Sequence, residues 1–257
     1  RSKIIYCYVR SWVMLRSLRV INLASTLTHY TAGLRLQDSV VEERRQGLVD
    51  DTLILLQHYP VYTLGKRGSL SDFRTPQKEL IKTGAEICSV PRGGELTFHG
   101  PGQLVAYPII GVKQAGLGAR AYVEGLEDSI IGCLANYGIN ARGRVPGATG
   151  VWVGERKIAA IGVRISHGVS SHGLALNIET DLSYFQHIVP CGTPDKEITS
   201  IRRELETQDR CFGAIELQGP ARMGSDSGGR KGLDPDFAEV VVGFIESFRN
   251  RLGFSTG

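Results

Sequence analysis

The feature that most constrains this fold is the alternation of helix-like and strand-like segments along the chain. Residues 30–46 place apolar residues among charges at helical spacing, and the mostly apolar run at residues 52–57 is typical of a buried strand. Further amphipathic helices are predicted over residues 122–136 and 237–252. Chains that alternate in this way pack helices against a sheet, so the sequence predicts an α/β or α+β fold.

Length and charge narrow the class of protein. With 257 residues, 42% of them hydrophobic, the chain can bury one sizeable core, which predicts a single domain. The net charge of +4 is too small to indicate nucleic-acid binding, although it allows attraction to an acidic protein partner. No apolar run reaches the length of a membrane span, so we expect none.

Residues 151–165 predict a β-hairpin that carries a lysine. The turn at Gly154-Glu155-Arg156 separates the apolar segments Val151–Val153 and Ile158–Ile165, and Lys157 directly follows the turn. A lysine at such a position is usually solvated. The alternative is catalytic, because an ammonium group beside a cysteine lowers the pKa of the thiol by stabilising the thiolate.

Cys191 is the candidate partner for that lysine. It lies between Pro190, which fixes its own backbone, and Gly192, which allows a ligand to approach closely. A buried, unreactive thiol is the alternative interpretation. The five cysteines are widely spaced and include no CxxC pair, which favours a reducing compartment over a disulfide framework. A zinc site built from His167, His172, His187 and Cys191 is disfavoured, since no paired ligand motif is present and a metal would consume the thiolate.

Two further segments combine small residues with polar chemistry. Residues 92–104 contain four glycines and a proline, and their exposed backbone N–H groups could bind a carbonyl or phosphate oxygen. His99 in this segment can donate, accept or relay a proton, or else belong to an ordinary strand and be satisfied by backbone. In the segment 170–177, the small residues Gly173 and Ala175 would let an apolar chain lie against the backbone.

The two ends of the chain have distinct compositions. Residues 1–37 contain no acidic residue and six basic ones, which is typical of an organellar presequence; we assign it to residues 1–18, with a first strand at residues 20–23. The main domain is predicted to span residues 19–205. A Gly/Ser-rich stretch at 218–232 indicates a flexible linker or insertion over residues 206–236, followed by a terminal helix within 237–257.

Five motifs follow one another along the chain: Arg92-Gly93-Gly94, Thr97-Phe98-His99-Gly100-Pro101-Gly102-Gln103, Lys157-Ile158-Ala159-Ala160-Ile161-Gly162, His172-Gly173-Leu174-Ala175-Leu176-Asn177 and Val189-Pro190-Cys191-Gly192. Together they resemble the lipoyl(octanoyl) transferase family, whose members move octanoyl groups from acyl carrier protein to lipoyl domains. The resemblance extends over residues 19–203, and within the family the chain resembles the plant-like mitochondrial form.

The resemblance implies a catalytic pair and an acyl site. Cys191 would be the acyl-thioester nucleophile, and Lys157 the residue that lowers the pKa of its thiol. The residues implied around the acyl group are Arg92, Gly93, Gly94, Glu95, Leu96, Thr97, Phe98, His99, Ala160, Ile161, Gly162, Gly173, Leu174 and Ala175. The implied fold is that of biotin and lipoate ligases, with a mixed sheet flanked by helices.

The family also implies partners and a location. Octanoyl-acyl carrier protein would be the donor, and the acceptors would be lipoyl domains of 2-oxoacid dehydrogenase E2 subunits and the glycine cleavage H protein. No cofactor is implied, and the chain contains no GxxxxGK[ST] phosphate loop. We expect a mitochondrial protein, with the plastid as the alternative. The competing functions are an ATP-dependent lipoate or biotin ligase and a non-catalytic module that binds lipoyl domains.

Overall fold

A computed structural model gives the fold of residues 16–189, 196–216 and 234–255, without the side chains of residues 211–216. The strands are β1 (Leu18–Thr28), β2 (Asp51–His58), β3 (Val61–Leu64), β4 (Glu86–Ser89), β5 (Leu96–His99), β6 (Gln103–Ile109), β7 (Val151–Val153), β8 (Arg156–Ser166), β9 (Val169–Asn177) and β10 (Glu197–Ile198). The α-helices are α1 (Tyr30–Arg45), α2 (Gln77–Lys82), α3 (Ala119–Ala135), α4 (Ile201–Glu216) and α5 (Phe237–Leu252).

The larger of two sheets forms the centre of the molecule. Its strands follow the order β1-β2-β6-β9-β8-β10, and β7 pairs with β8. β1 is parallel to β2 and β10 is parallel to β8, whereas β2, β6, β9 and β8 are joined by antiparallel pairings. The mixed sheet that the family resemblance implies is therefore confirmed.

Helices cover both faces of this sheet. On one face, Val40 and Val41 of α1 pack with Ile54, Leu56 and Val105. On the other face, α3 and α5 pack together over a second set of strand residues. β2 is buried on both sides, which explains why residues 53–56 are continuously apolar instead of alternating.

A second sheet of three strands, in the order β4-β3-β5, lies beside the first. Leu96 and Phe98 of β5 pack into a core with Tyr62 and Phe185. Because successive side chains of a strand point to opposite faces, the residues between and after them, Thr97 and His99, point the other way. Thr97 and His99 therefore face a cavity between the two sheets.

The predicted hairpin is confirmed, since β7 and β8 pair antiparallel through a turn at residues 154–155. The predicted terminal helix is confirmed as α5 at the bounds expected from its spacing. None of the described helices is long and apolar enough to cross a membrane.

Two predicted boundaries differ from the structure. α4 continues to Glu216, so residues 206–216 are helical where a linker is predicted. Only two of the first ten residues of this helix, Ile201 and Leu205, are large and apolar, so few residues mark it as a helix in the sequence. Residues 217–233 lie outside the described residues. At the other end, β1 begins at Leu18, and Arg16 donates a hydrogen bond to Asp51 at 3.0 Å, so residues 16–18 belong to the fold.

Candidate active site

A cavity of about 730 Å³, measured to its open mouth, lies between the two sheets. β6, β8 and β9 supply one wall, and β5 with the preceding segment 92–95 supplies the opposite wall. Residues 147–149 close one side, and Tyr30 at the start of α1 closes another.

The structure brings most of the predicted site residues together around this cavity. The predicted residues that line it are Arg92, Gly94, Glu95, Thr97, His99, Lys157, Ala160, Ile161, Gly162, Gly173, Leu174 and Ala175. These residues come from three separate segments of the chain: 92–99, 157–162 and 173–175. The last two segments meet because β8 and β9 pair in register, with Gly162 opposite Gly173 and Ala160 opposite Ala175.

Three predicted residues do not line the cavity. Leu96 and Phe98 are buried in the core of the small sheet, because the alternation of β5 turns them away. Gly93 instead ties its segment to the large sheet: its N–H donates to the Val163 carbonyl at 3.1 Å, and a β-carbon at Gly162 would lie 2.8 Å from the Gly93 carbonyl oxygen. Glycine at 162 is therefore required by this close approach.

Arg92 is buried and stabilises the segment that follows it. Its guanidinium donates to the carbonyl oxygens of Thr63, Gly93 and Glu95 at 2.8, 2.9 and 3.1 Å, and to the Thr63 hydroxyl at 2.8 Å. Since Thr63 lies on β3 of the small sheet, Arg92 fixes the cavity wall to that sheet. Its charge also disfavours protonation of the histidines nearby.

His99 is held in one neutral tautomer. Gln103 uses its amide N–H₂ group to donate to Phe98 and Asn177, so its oxygen must accept from His99 Nδ1 at 2.8 Å. His99 Nε2 then accepts from the Thr63 hydroxyl at 3.3 Å. Burial, followed by the charges of His58 and Arg92, lowers the pKa of His99 to about 3. The side chains of Gln103 and Thr63 therefore satisfy the ring, and backbone does not.

The far wall of the cavity contains residues that the sequence did not single out as site residues. Tyr107 lies on β6 and pairs with His58 at 2.9 Å; His58 Nδ1 donates to the Thr28 carbonyl, so its Nε2 accepts the Tyr107 hydroxyl proton. Burial lowers the pKa of His58 to about 4. The alternation of β6, which puts Val105 and Tyr107 on the same face as Gln103, is the one sequence signal that could have found Tyr107.

His172 is a second such residue, although it begins one of the motifs. Its φ of 55° lies in the left-handed region, which only a few per cent of residues other than glycine adopt. Burial, then the charges of Arg92 and Arg164, lowers the pKa of His172 to about 4. Its Nδ1 is buried and has no hydrogen-bond partner among the described residues. The ring is therefore neutral near pH 7 and adds a polar group to the cavity wall next to the small residue Gly173.

Glycine at 173 has a structural cause. A β-carbon there would overlap the Ala106 carbonyl oxygen and would lie 2.5 Å from Pro108 Cδ, so β9 can approach β6 only without a side chain at this position. Strand packing alone thus requires glycine at 173, and its role in accommodating an apolar ligand stays a prediction. Ala175, two residues further along β9, does present its methyl group to the cavity wall.

Lys157 is buried, with 3% of its surface exposed, and lines the cavity. Its Nζ donates to the Thr149 carbonyl at 3.2 Å and lies 4.8 Å from the centroid of the Trp152 ring. The expectation of a solvated lysine, based on its position after a turn, is wrong because residues 147–150 fold over the side chain. Gly150, at φ 133°, allows this: a β-carbon there would lie 2.5 Å from the Ala159 carbonyl oxygen.

Two carboxylates on or next to the elements that flank Lys157 are bound to other cations. Glu204 accepts both guanidinium contacts of Arg156, at 2.8 and 2.9 Å, and Glu155 pairs with Arg142 and Lys196. No described carboxylate forms an ion pair with Lys157. Burying an ammonium group is costly unless an anion or several dipoles compensate it. The arrangement therefore favours an anion beside Nζ.

Cys191 lies outside the described residues, but the chain on either side of it is fixed. Val189 donates a backbone hydrogen bond to Asp72 at 2.7 Å. On the other side, Ile198 of β10 is paired with Lys157 itself, and the Thr199 N–H donates to the Lys157 carbonyl at 2.9 Å. Residues 197–199, which follow the cysteine in sequence, are thus bonded to the strand that carries the lysine.

The histidines considered for a zinc site have separate environments. His167 contacts Ser166, His187 contacts Thr75, and His172 lies at the cavity. Over residues 16–189, 196–216 and 234–255, no group of three or more potential ligands is placed to hold a metal ion.

Comparison with known proteins identifies the class. The family model of the lipoyl protein ligase A/B catalytic domain matches residues 29–211. The fold of lipoate-protein ligase A bound with ATP is similar, with a TM-score of 0.61 at 12% identity; the match covers 95% of this chain and 89% of that one. A bipartite lipoate protein ligase of Thermoplasma acidophilum has a TM-score of 0.59 at 15% identity, covering 94% of this chain and 86% of that one. The fold is therefore that of the lipoate ligases, as the motifs implied.

Sequence relatives define the family more narrowly. The mitochondrial octanoyltransferase LIP2 of Arabidopsis thaliana is 55% identical over 179 residues, which cover 70% of this chain and 76% of that protein. An octanoyltransferase of Solibacter usitatus is 50% identical over 172 residues, covering 67% and 77% respectively. The chain belongs to the octanoyltransferase family and is an acyltransferase, which confirms the resemblance seen in its motifs.

Proposed function

We propose that this chain transfers octanoyl from octanoyl-acyl carrier protein to a specific lysine of lipoyl domains through a thioester on Cys191. The observation that carries the proposal is the environment of Lys157. Lys157 places a buried ammonium group in the cavity wall, and no carboxylate among the described residues forms an ion pair with it. It lies on β8, the strand that pairs with the segment following Cys191. Such a group stabilises a thiolate.

The first half-reaction exchanges one thioester for another. The Cys191 thiolate, stabilised by Lys157, attacks the carbonyl carbon of the octanoyl thioester. The new carbon–sulfur bond to cysteine forms as the bond to the carrier's thiol breaks, and the carrier thiolate leaves and takes up a proton. Because the bond broken and the bond formed are of the same kind, the step is close to balanced in free energy and needs no nucleotide.

The second half-reaction forms the amide. The neutral amine of the acceptor lysine attacks the Cys191 thioester, the carbon–sulfur bond breaks, and the cysteine leaves as a thiolate. The carrier thiolate takes its proton from the Lys157 ammonium in the first half-reaction, so Lys157 is a neutral amine at this stage. It accepts the proton from the acceptor nitrogen as the amide forms and, as an ammonium again, stabilises the departing Cys191 thiolate. A tetrahedral oxyanion develops in both halves, and backbone N–H groups near Cys191 and in the segment 92–95 are the candidate donors. The Gly93 N–H is excluded, since it is bonded to Val163.

The cavity accounts for selection of a medium-length acyl chain. Ala160, Ile161, Leu174 and Ala175 provide its apolar lining. Burying an eight-carbon chain at about 0.8 kcal/mol per methylene contributes around 5 kcal/mol, which favours octanoyl over shorter groups.

Partners and location follow from the same proposal. The acceptors are lipoyl domains of 2-oxoacid dehydrogenase E2 subunits and the glycine cleavage H protein. The location is the mitochondrion, supported by the basic, acid-free composition of residues 1–37 and by the mitochondrial name of the Arabidopsis relative; the plastid is the alternative.

One experiment tests the chemistry directly. The purified protein is incubated with octanoyl-acyl carrier protein without ATP, and the intact mass and the Cys191 peptide are measured by mass spectrometry. We expect one octanoyl group on Cys191, which is then lost to a lipoyl domain on its addition. Octanoylation of the lipoyl domain only with octanoate and ATP would instead identify a ligase. Binding of the lipoyl domain without any transfer would identify a non-catalytic module.

A further inference from the structure

Glu127 lies in the middle of α3, and only 2% of its surface is exposed. α3 packs against the face of the large sheet opposite to α1, and the residues around Glu127, such as Leu126 and Ile130, are part of the core. A carboxylate in this position costs several kcal/mol in desolvation unless it is well bonded. A leucine-like residue would serve the packing of the helix equally well, so the acid requires another explanation.

The hydrogen bonds of Glu127 lead away from its own helix. Its Oε2 accepts the backbone N–H of Arg144 at 2.9 Å, and its Oε1 accepts the backbone N–H of Gly150 at 3.2 Å. One carboxylate therefore holds both ends of the segment 144–150. Gly143 makes room for it, because a β-carbon there would lie 2.8 Å from Glu127 Oε2.

The backbone of this segment is shaped around those two bonds. Arg144 adopts a φ of 56° and Gly150 a φ of 133°, so both residues that donate to Glu127 lie in the positive-φ region. A residue other than glycine rarely takes this conformation unless its surroundings enforce it. The bond to Glu127 contributes to that constraint at Arg144, together with the ion pair between the Arg144 side chain and Asp128 at 2.7 Å.

The same segment determines where the Lys157 ammonium lies. The Thr149 carbonyl, next to Gly150, accepts the hydrogen bond from Lys157 Nζ. The Ala148 carbonyl accepts the Trp152 ring N–H at 3.0 Å, and that ring faces Lys157 Nζ. Both groups that contact the ammonium are thus fixed by residues 148 and 149, which Glu127 holds in place.

We infer that Glu127 is a positioning residue for Lys157: by holding both ends of the segment 144–150, it sets the Thr149 carbonyl and the Trp152 ring that fix the ammonium beside the cavity. This inference rests on the proposed role of Lys157 in activating Cys191. Among the described residues, Glu127 is not one of those that line the cavity.

The test is the pH profile of alkylation at Cys191, followed by mass spectrometry of its own peptide so that the other cysteines do not interfere. Glu127→Gln keeps the size of the side chain but replaces one acceptor oxygen by a donor, so only one of the two N–H groups can remain bonded. We expect the profile to move to higher pH, in the direction of Lys157→Ala. Transfer of octanoyl to Cys191 near neutral pH should slow about tenfold or more, as small misplacements of catalytic groups do.

Asp51→Asn is the matched control. Asp51 is also a buried carboxylate that accepts a backbone N–H, that of Gly111 at 2.7 Å, but it lies at the end of β2 away from His58 and does not line the cavity. This variant should lose thermal stability while keeping the wild-type alkylation profile. If Glu127→Gln does not fold, Glu127→Asp, which withdraws the carboxylate by one methylene, replaces it.

A double variant separates this inference from the proposed function. Because Glu127 acts through Lys157, Glu127→Gln should cause no further shift in the Lys157→Ala background. If the alkylation profile of Cys191 shifts in Lys157→Ala but not in Glu127→Gln, the role of Glu127 is overturned and the proposed function stands. The role of Glu127 is also overturned if Glu127→Gln still shifts the profile in the Lys157→Ala background. An unchanged profile in Lys157→Ala would instead reject the proposed role of the lysine, and the inference with it.

Discussion

Replacing Ala175 by leucine should shorten the acyl chain that the enzyme prefers. Ala175 is buried on β9, opposite Val105 on one side and Ala160 on the other, and it lines both the main cavity and a smaller one of about 270 Å³ next to it. Leucine adds three carbon atoms at this position. Because strands occupy the space on either side, the added carbon atoms can extend only into the cavity.

The magnitude follows from the volume displaced. If the three carbons exclude three methylenes of the ligand, octanoyl loses about 0.8 kcal/mol for each, or about 2.4 kcal/mol in total. That corresponds to about 50-fold in transfer from octanoyl-acyl carrier protein. Butanoyl, which is four carbons shorter, should be little affected. Overpacking should also lower the free energy of unfolding by about 1–3 kcal/mol.

Single-turnover transfer from butanoyl, hexanoyl and octanoyl carrier proteins measures the effect. Ala24→Leu is the control, since Ala24 is equally buried but lies on the edge strand β1 away from the cavity. The control should lose stability without changing the order of preference. An equal drop for all three chain lengths in Ala175→Leu would show that the acyl chain lies elsewhere.

The remaining predictions concern the catalytic pair and the buried histidines. Cys191→Ser should abolish transfer and leave the melting temperature unchanged, because a serine hydroxyl beside an ammonium stays protonated; turnover at the wild-type rate would remove Cys191 from the mechanism. Lys157→Ala should slow transfer at neutral pH and recover part of the rate at higher pH, where alkali forms the thiolate without help, as a pH–rate profile would show. The pKa values of His58, His99 and His172 are lowered to about 4, 3 and 4 in the fold, so the unfolded chain binds more protons below its ordinary histidine pKa. Stability should therefore be complete above about pH 6.5 and fall as the pH decreases, by as much as about 2 kcal/mol per histidine at pH 5. Thermal unfolding followed by circular dichroism between pH 8 and 5 checks this, and a constant melting temperature over that range would contradict it.

Local patterns predicted the secondary structure where one physical cause dominates. The helix at 237–252 buries a single apolar face, and the hairpin at 151–166 is set by a turn between two apolar runs, so both could be predicted from sequence. The extent of α4 was not predicted, because only Ile201 and Leu205 among its first ten residues are large and apolar, and the Gly/Ser-rich stretch at 218–232 indicated a linker over the whole of residues 206–236.

Some features of the candidate site could likewise be predicted from the sequence and others could not. The motifs predicted which segments meet, but the direction of each side chain depends on strand register. Thus Thr97 faces the cavity while Phe98 does not, and Lys157 is buried by a segment whose position depends on Glu127, thirty residues away in sequence. Tyr107 was missed because a tyrosine within an apolar strand has the same pattern whether it completes a core or lines a cavity.

The contacts of the segment 92–95 have a mechanical consequence for how the cavity selects its ligand. Arg92 is bonded to Thr63 of the small sheet, and the next residue is bonded to Val163 of the large sheet. Two adjacent residues therefore act as a spacer of fixed length between the walls. Separating the walls at residues 92 and 93 would break these hydrogen bonds, so they oppose widening of the cavity at this point. We therefore expect this part of the cavity to select ligands by how well they fit its existing width.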